Sequence, residues 1–173
     1  MPVVEVVDHD PAWPALFEAE RRLLVAALPS ARSIEHIGST SVPGLAAKPI
    51  IDIAAVVPGI AAIAADVAAL ERLGYQYRPW VFADDEEHLF FPKDTAGRRT
   101  HHLHVFGSSS PLPRQNRVFR DYLATHPEAA GRYAAAKREA AHRHPDSRAR
   151  YAEAKEAVMR LVLAEASRWG ATR

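Results

Sequence analysis

Glu35-His36-Ile37-Gly38-Ser39-Thr40-Ser41-Val42-Pro43-Gly44, followed by Lys48-Pro49-Ile50-Ile51-Asp52-Ile53, joins a short strand, a Gly/Ser/Thr turn and an apolar strand with one acidic residue. Such a turn offers backbone N–H groups to an anion, and the carboxylate close by offers oxygen to a cation, so phosphate and metal could sit side by side. Gly38 lets the backbone approach a ligand, and Ser39, Thr40 and Ser41 can add hydroxyl donors. The plainer alternative for the same residues is a capping turn ahead of a short helix.

Working outward, residues 32 to 37 and 49 to 57 read as strands, the second apolar enough for the middle of a sheet covered on both faces. Upstream, a strand is expected at Val3 to Val7, then Asp10 as helix cap with Pro11 in the first helical position. Trp13, Leu16, Phe17, Leu24, Ala27 and Leu28 recur at helical spacing and predict a helix that Pro29 ends. Downstream, an Ala-rich helix is expected from Ile60 to Leu73, ended by Gly74, with strands near Tyr75 to Pro79, His88 to Pro92 and His101 to Phe106. The acidic loop Asp84-Asp85-Glu86-Glu87 reads as exposed, with Glu87 as a remote metal-ligand candidate. Past Pro113 the pattern is helical: Arg114 to Ala124, Glu128 to about His142, and Ser147 to Trp169, punctuated by Pro127 and Pro145. The expected class is α/β (α+β): a core of residues 1-112 with a mixed sheet flanked by helices, and a C-terminal helical cap, residues 113-173, packed on it as one structural unit.

Composition narrows the partners. The chain has 173 residues, 48% of them hydrophobic, enough for one core without staples. No cysteine is present, which excludes disulfides, thiolate metal sites and a thiol nucleophile, and favours a cytoplasmic location. Neither a signal peptide nor a membrane segment is read, since the most apolar stretch, Pro49 to Leu70, is broken by Asp52, Pro58, Gly59 and Asp66. A net charge of +1 argues against a nucleic-acid partner. The charge is uneven, however: residues 1 to 112 hold 9 Lys+Arg against 14 Asp+Glu, and residues 113 to 173 hold 13 against 7. A basic helical layer over an acidic sheet could grip a polyanionic small molecule, although a solvated basic face would carry the same count.

Apolar-Gly-Ser, then 12 residues, then Asp on an apolar strand resembles the signature of the nucleotidyltransferase superfamily. More narrowly, the block from Ile34 to Ile53 resembles the hallmark of the GrpB family. So do Arg99-Thr100-His101-His102-Leu103-His104-Val105, Phe119-Arg120-Asp121-Tyr122-Leu123, and the pairs Tyr133/Lys137 and Tyr151/Lys155, so that nearly the whole chain is covered. The resemblance implies a nucleotidyltransferase-like fold, phosphate binding by Gly38, Ser39, Thr40 and Ser41, a metal at Asp52, and ligand-facing roles for Tyr133, Lys137, Tyr151 and Lys155. The resemblance also implies kinship with a domain that occurs fused to dephospho-CoA kinases.

One departure from the superfamily matters. Its usual Asp-x-Asp or Asp-x-Glu is here Asp52-Ile53-Ala54, and strand alternation would aim residue 54 at the same metal as Asp52. Without that second carboxylate, an ordinary Mg²⁺ site is incomplete. His102 and His104, which share a face while Leu103 and Val105 take the other, are candidates to complete it as metal ligands, or one as a general base or phosphate donor. The set Asp52, His102 and His104 would suit Zn²⁺, Mn²⁺, Fe²⁺ or Ni²⁺ better than Mg²⁺. Lys48 could reach a phosphate, His36 could brace the turn through a backbone hydrogen bond, and Arg98, Arg99, Arg117 and Arg120 are further candidate anion contacts.

The expected activity is transfer of a nucleoside monophosphate from an NTP to a small acceptor, assisted by a divalent metal ion, with a nucleotide, a CoA-like molecule or another anionic metabolite as ligand. One rival is a metal- or His-dependent enzyme that hydrolyses, cyclises or eliminates on a small metabolite. The other is a non-enzymatic nucleotide- or CoA-binding module. Neither the Gly-x-Ser-x-Gly elbow of a hydrolase nor a Walker loop is present.

Overall fold

The computed structural model describes residues 4–172. In order it contains α1 (Trp13–Ala27), β1 (Ser33–Ile37), one 3-10 turn (Ser39–Ser41), β2 (Ile51–Val57), tighter winding over Ile60–Ala65, α2 (Val67–Arg72), β3 (His88–Thr95), β4 (Arg98–Gly107), α3 (Leu112–Thr125), α4 (Pro127–Arg143) and α5 (Arg148–Ala171). The protein is a mixed α+β fold built on a four-stranded sheet of order β1-β2-β4-β3, with β2 and β4 parallel and the outer pairs antiparallel.

Alternation along β2 and β4 sorts the side chains. Ile51, Ile53, Ala55, Val57, Leu103 and Val105 are buried on the face packed by α1 and α2, against Trp13, Phe17, Leu24, Ile63 and Leu70. Asp52, Ala54, His102 and His104 take the opposite face, where register sets Asp52 beside His102 and Ala54 beside His104. Over that face lie α3, α4 and α5, whose core includes Tyr122, Leu123, Tyr133 and Val162, and into which the turn inserts Val42 and Leu45. The exit of the turn is thereby packed into the helical cap.

Several expectations are corrected. Val3 lies outside the described residues, and in place of a strand Val7 makes a single bridge to Ala47. Tyr75 to Pro79 is no strand: Gln76 and Arg78 donate from their N–H groups to Pro92 O (2.9 Å) and Phe90 O (3.1 Å) along the edge of β3. The Ile60 to Leu73 helix divides at Asp66, with the 3-10 winding that is common at α-helix N-termini extended over Ile60–Ala65. Strands β3 and β4 run to a two-residue hairpin turn, Ala96-Gly97, with φ of 50° and 74°, the geometry whose twist matches the flanking strands. Leu16 is exposed, because the buried stripe of α1 is Trp13, Phe17, Glu20, Leu24 and Ala27. Glu20 holds its place there by accepting two bonds from Lys93 Nζ, at 2.8 and 3.0 Å.

Candidate functional site

Gly38 adopts φ 71° and ψ −172°, and a Cβ there would lie 2.5 Å from Asp52 Oδ2. Only glycine fits such a close approach of turn and carboxylate. Within the turn the hydroxyls divide their work. Thr40 Oγ1 donates to Ile50 O (3.3 Å), and because it has one proton it must accept at its 2.9 Å contact with His36 Nε2, which fixes that nitrogen as the donor. His36 therefore braces the turn through a hydroxyl and not through the backbone, stacked on Phe17, and burial pulls its pKa down to about 4. Ser41 Oγ donates to Gly38 O (2.6 Å) and does not line the cavity. Ser39 and Thr40 both line the cavity, and of the two only the Ser39 hydroxyl bonds a cavity lysine, accepting from Lys137 Nζ. The plainer reading of the turn, a bend ahead of a short helix, is present in the same residues.

Asp52 Oδ1 lies 2.9 Å from His102 Nδ1. Burial acts to raise the Asp52 pKa, but the His102 hydrogen bond and the nearby His102, His104 and Lys48 outweigh it and hold the carboxyl below its usual range. His102 Nε2 lies 3.4 Å from an Arg99 guanidinium nitrogen. His104 Nδ1 lies 2.8 Å from His88 Nε2, so Nε2 of His104 is the ring nitrogen left to face a ligand. Desolvation lowers the His104 pKa to about 3 and also lowers that of His88, which keeps His104 as the neutral imidazole a metal requires. One ligand atom each from Asp52, His102 and His104 lie within 4.8 Å of one another.

This donor set fits a borderline divalent cation, since oxygen and two imidazole nitrogens favour zinc, manganese or iron over magnesium. His88 supports that fit by engaging the other nitrogen of His104, the arrangement in which metal-bound histidines are commonly oriented. Phe82, in the left-handed region at φ 61°, stacks on His88 at 4.2 Å and closes the pair from the loop side. Ala54 is buried with Ile37, Phe106 and Leu112, so the position of a second carboxylate is paved with apolar surface.

Three lysines converge on the same cavity, of about 190 Å³, lined by Gly38, Ser39, Thr40, Asp52, His102 and the five residues Lys48, Tyr133, Lys137, Tyr151 and Lys155. Lys137, only 2% exposed, donates from Nζ to Ser39 Oγ (2.9 Å) and Ala46 O (2.5 Å) over the Tyr133 ring. Lys48 and Lys155 lie 5.2 and 5.8 Å from the Tyr151 ring centroid. Among the described residues none of the three forms a salt bridge. Burial, then repulsion by Lys155, Arg138 and Lys48, brings Lys137 down to about 7, and burial also lowers Lys48 and Lys155. The same burial pushes the Tyr133 phenol up to about 12 and raises Tyr151. Tyr133 and Tyr151 thus supply neutral walls for a cationic floor.

Other candidates lie elsewhere. Arg117 pairs with Glu35 (2.8 Å), and Arg120 donates to His36 O (3.2 Å), so both pin α3 to β1. Glu87 packs against Gly107 outside the Asp52 cluster, and within the acidic loop Asp84 and Glu86 are exposed whereas Asp85 and Glu87 are half-buried. His88 and Glu35 escaped sequence reasoning, because their partners lie on strands and helices that only the fold brings near.

With that geometry in place, a family profile described as GrpB protein matches residues 3–165. The chain belongs to the GrpB family. A UPF0157 protein of Pseudomonas aeruginosa is 41% identical over 169 residues, covering 94% of this chain and 67% of the relative. A crystal structure of GrpB from Enterococcus faecalis superposes with a TM-score of 0.86 at 34% identity, over 94% of this chain and 96% of that one. More distantly, the Cid1 poly(U) polymerase bound to MgATP shares the fold, with a TM-score of 0.51 at 10% identity over 77% of this chain and 45% of that one. No helix among the described residues is long and apolar enough to cross a membrane.

Proposed function

We propose that this GrpB protein binds the phosphates of a nucleoside triphosphate in the lysine-lined cavity and transfers the nucleoside monophosphate to a small acceptor. The observation that carries the reading is the uncompensated charge: Lys48, Lys137 and Lys155 surround the Gly38-Ser39 turn with Asp52 as the one carboxylate on the cavity wall. Partly buried cations without counter-charges are costly unless a ligand supplies the anion. Its dimensions suit a phosphate chain, not a whole nucleotide, which leaves the nucleoside to project outward.

In the transfer, an acceptor oxygen or amine attacks the α-phosphorus, the bond from that phosphorus to the bridging oxygen breaks, and pyrophosphate leaves. The acceptor's proton goes to solvent, while Asp52 holds the His102 imidazole in place beside the reacting groups. Lys137 and Lys155 offset charge on the departing pyrophosphate. A divalent ion held by Asp52, His102 and His104 would add charge stabilisation at the transferred phosphoryl group. The fold likeness to Cid1, a polymerase seen with MgATP, supports the choice of a nucleotide donor.

Incubation with the four NTPs and Mg²⁺, Mn²⁺ or Zn²⁺ tests this, with calorimetry for binding and a coupled assay for pyrophosphate. The expected result is metal-dependent pyrophosphate release that Asp52→Asn abolishes. Binding without turnover would favour a nucleotide- or CoA-binding module. Neither binding nor turnover would favour the second reading, a metal- or His-dependent enzyme on a small anionic metabolite, for which the apolar surroundings of Ala54 speak.

A further inference from the structure

Beside the lysine cavity runs a second, larger groove of about 550 Å³. Its charged walls are Lys48, Arg98, Arg99 and Arg148 against Glu5 and Asp94, and it shares Lys48 and Ile50 with the inner cavity. Among the described residues no aromatic ring lines it. We propose that this groove is the subsite for the second substrate, an anionic acceptor that carries a carboxylate or phosphate group; the acceptor role rests on the transferase reading above.

Three observations point there. Arg99 stands at the junction, bound to Asp94 (2.5 Å) on the groove side and 3.4 Å from His102 Nε2 on the other, so a molecule in the groove arrives at the Asp52–His102 pair. Arg148 is the first residue of α5, just after the capping Ser147, where the helix dipole disfavours a cation. Among the described residues its side chain forms no hydrogen bond or close ion pair and acts on Asp94 and Lys48 only at longer range, so its guanidinium can fork onto an oxyanion. Across the groove, Arg98 is held only by a long 3.4 Å contact to Glu5 that water screens, since both side chains are more than half exposed. The walls suit a compact anion better than a nucleobase, which would gain little without a ring to stack on.

Arginine side-chain N–H resonances can be followed while citrate, as a polycarboxylate probe, or glycerol 3-phosphate, as a phosphate probe, is titrated into the nucleotide-free protein. At least one probe should shift the Arg98, Arg99 and Arg148 signals, and the double variant Arg98→Gln/Arg148→Gln should weaken that binding about tenfold or more, as loss of a charge-assisted bond implies. Lys137→Met, which disables the inner cavity alone, should leave it within about twofold, so failure of the donor site and failure of the groove are read separately. A circular-dichroism melt of each variant confirms folding, and both substituted arginines are exposed. The inference is overturned if neither probe shifts these signals, if the double variant binds as well as the parent, or if ATP displaces the probe competitively, which would assign the groove to the nucleoside.

Discussion

Gly38→Ala separates a turn that merely caps a 3-10 helix from one built around Asp52. The added methyl would sit 2.5 Å from Asp52 Oδ2, and also 3.0 and 3.1 Å from its Cβ and Cγ. Ordinary contact needs about 3.5 Å, so the carboxylate must move by roughly 1 Å, and rotation alone cannot clear the Cβ. Movement on that scale breaks the 2.9 Å bond to His102. The left-handed backbone at φ 71° adds about 1–3 kcal/mol of strain. Gly44→Ala is the control, because Gly44 has φ 76° but nothing within 4 Å of its would-be Cβ. Losing a charge-assisted bond and displacing the carboxylate should make Gly38→Ala about 2 kcal/mol worse than Gly44→Ala in urea unfolding. It should also abolish ligand binding, which the control keeps. Equal unfolding costs with nucleotide or metal binding retained in both would refute the account of Gly38 as the spacer for Asp52.

Two further outcomes follow from the charges and imidazoles. Because the ammonium form of Lys137 is the one that holds an anion, and its pKa is lowered to about 7, affinity for ATP should fall as pH rises from 6 to 9, with proton uptake on binding above pH 7 in calorimetry; Lys137→Met should flatten the profile, and a parent profile already flat would overturn the assignment. His88→Phe preserves the stacking on Phe82 and Phe106 but removes the bond to His104 Nδ1, so zinc or manganese affinity should drop about 10- to 100-fold in a competition titration. An unchanged affinity would show that His104 is not a ligand oriented by His88.

Much of the site was legible because its parts obey local periodicity. The two-residue alternation of β4 was enough to separate His102 and His104 from Leu103 and Val105, and the apolar run of β2 isolated Asp52. The lysine cavity was reached differently: Tyr133/Lys137 and Tyr151/Lys155 are ordinary i,i+4 helix pairs, and family resemblance, not spacing, singled them out. What stayed hidden depends on pairing between distant segments. His88 matters only because the β3–β4 register places Phe90 opposite His104, bringing His88 diagonally within 2.8 Å of it. Glu20 lies in the buried stripe of α1 because Lys93, 73 residues later, is folded beside it. The hydroxyl protons of the turn were hidden for another reason: Thr40 and Ser41 direct theirs to Ile50 O and Gly38 O, partners that only the folded turn brings near.

The absence of a carboxylate at position 54 takes on a different meaning in three dimensions. Ala54 pairs with His104 in the parallel register, so the imidazole on the neighbouring strand reaches the region that a residue-54 carboxylate would have faced. A carboxylate there would be buried against Ile37, Phe106 and Leu112 beside the His104 imidazole, and desolvation would disfavour its ionised form. Replacing it with a neutral imidazole lowers the negative charge facing the ligand while the lysines add positive charge. A site with one carboxylate, two imidazoles and three lysines leans towards holding a polyanion through the protein's own cations, with less of the load on a metal than a two-carboxylate centre demands. On that balance, anion binding should survive chelation while turnover should not, and measuring both after EDTA treatment would separate the two contributions.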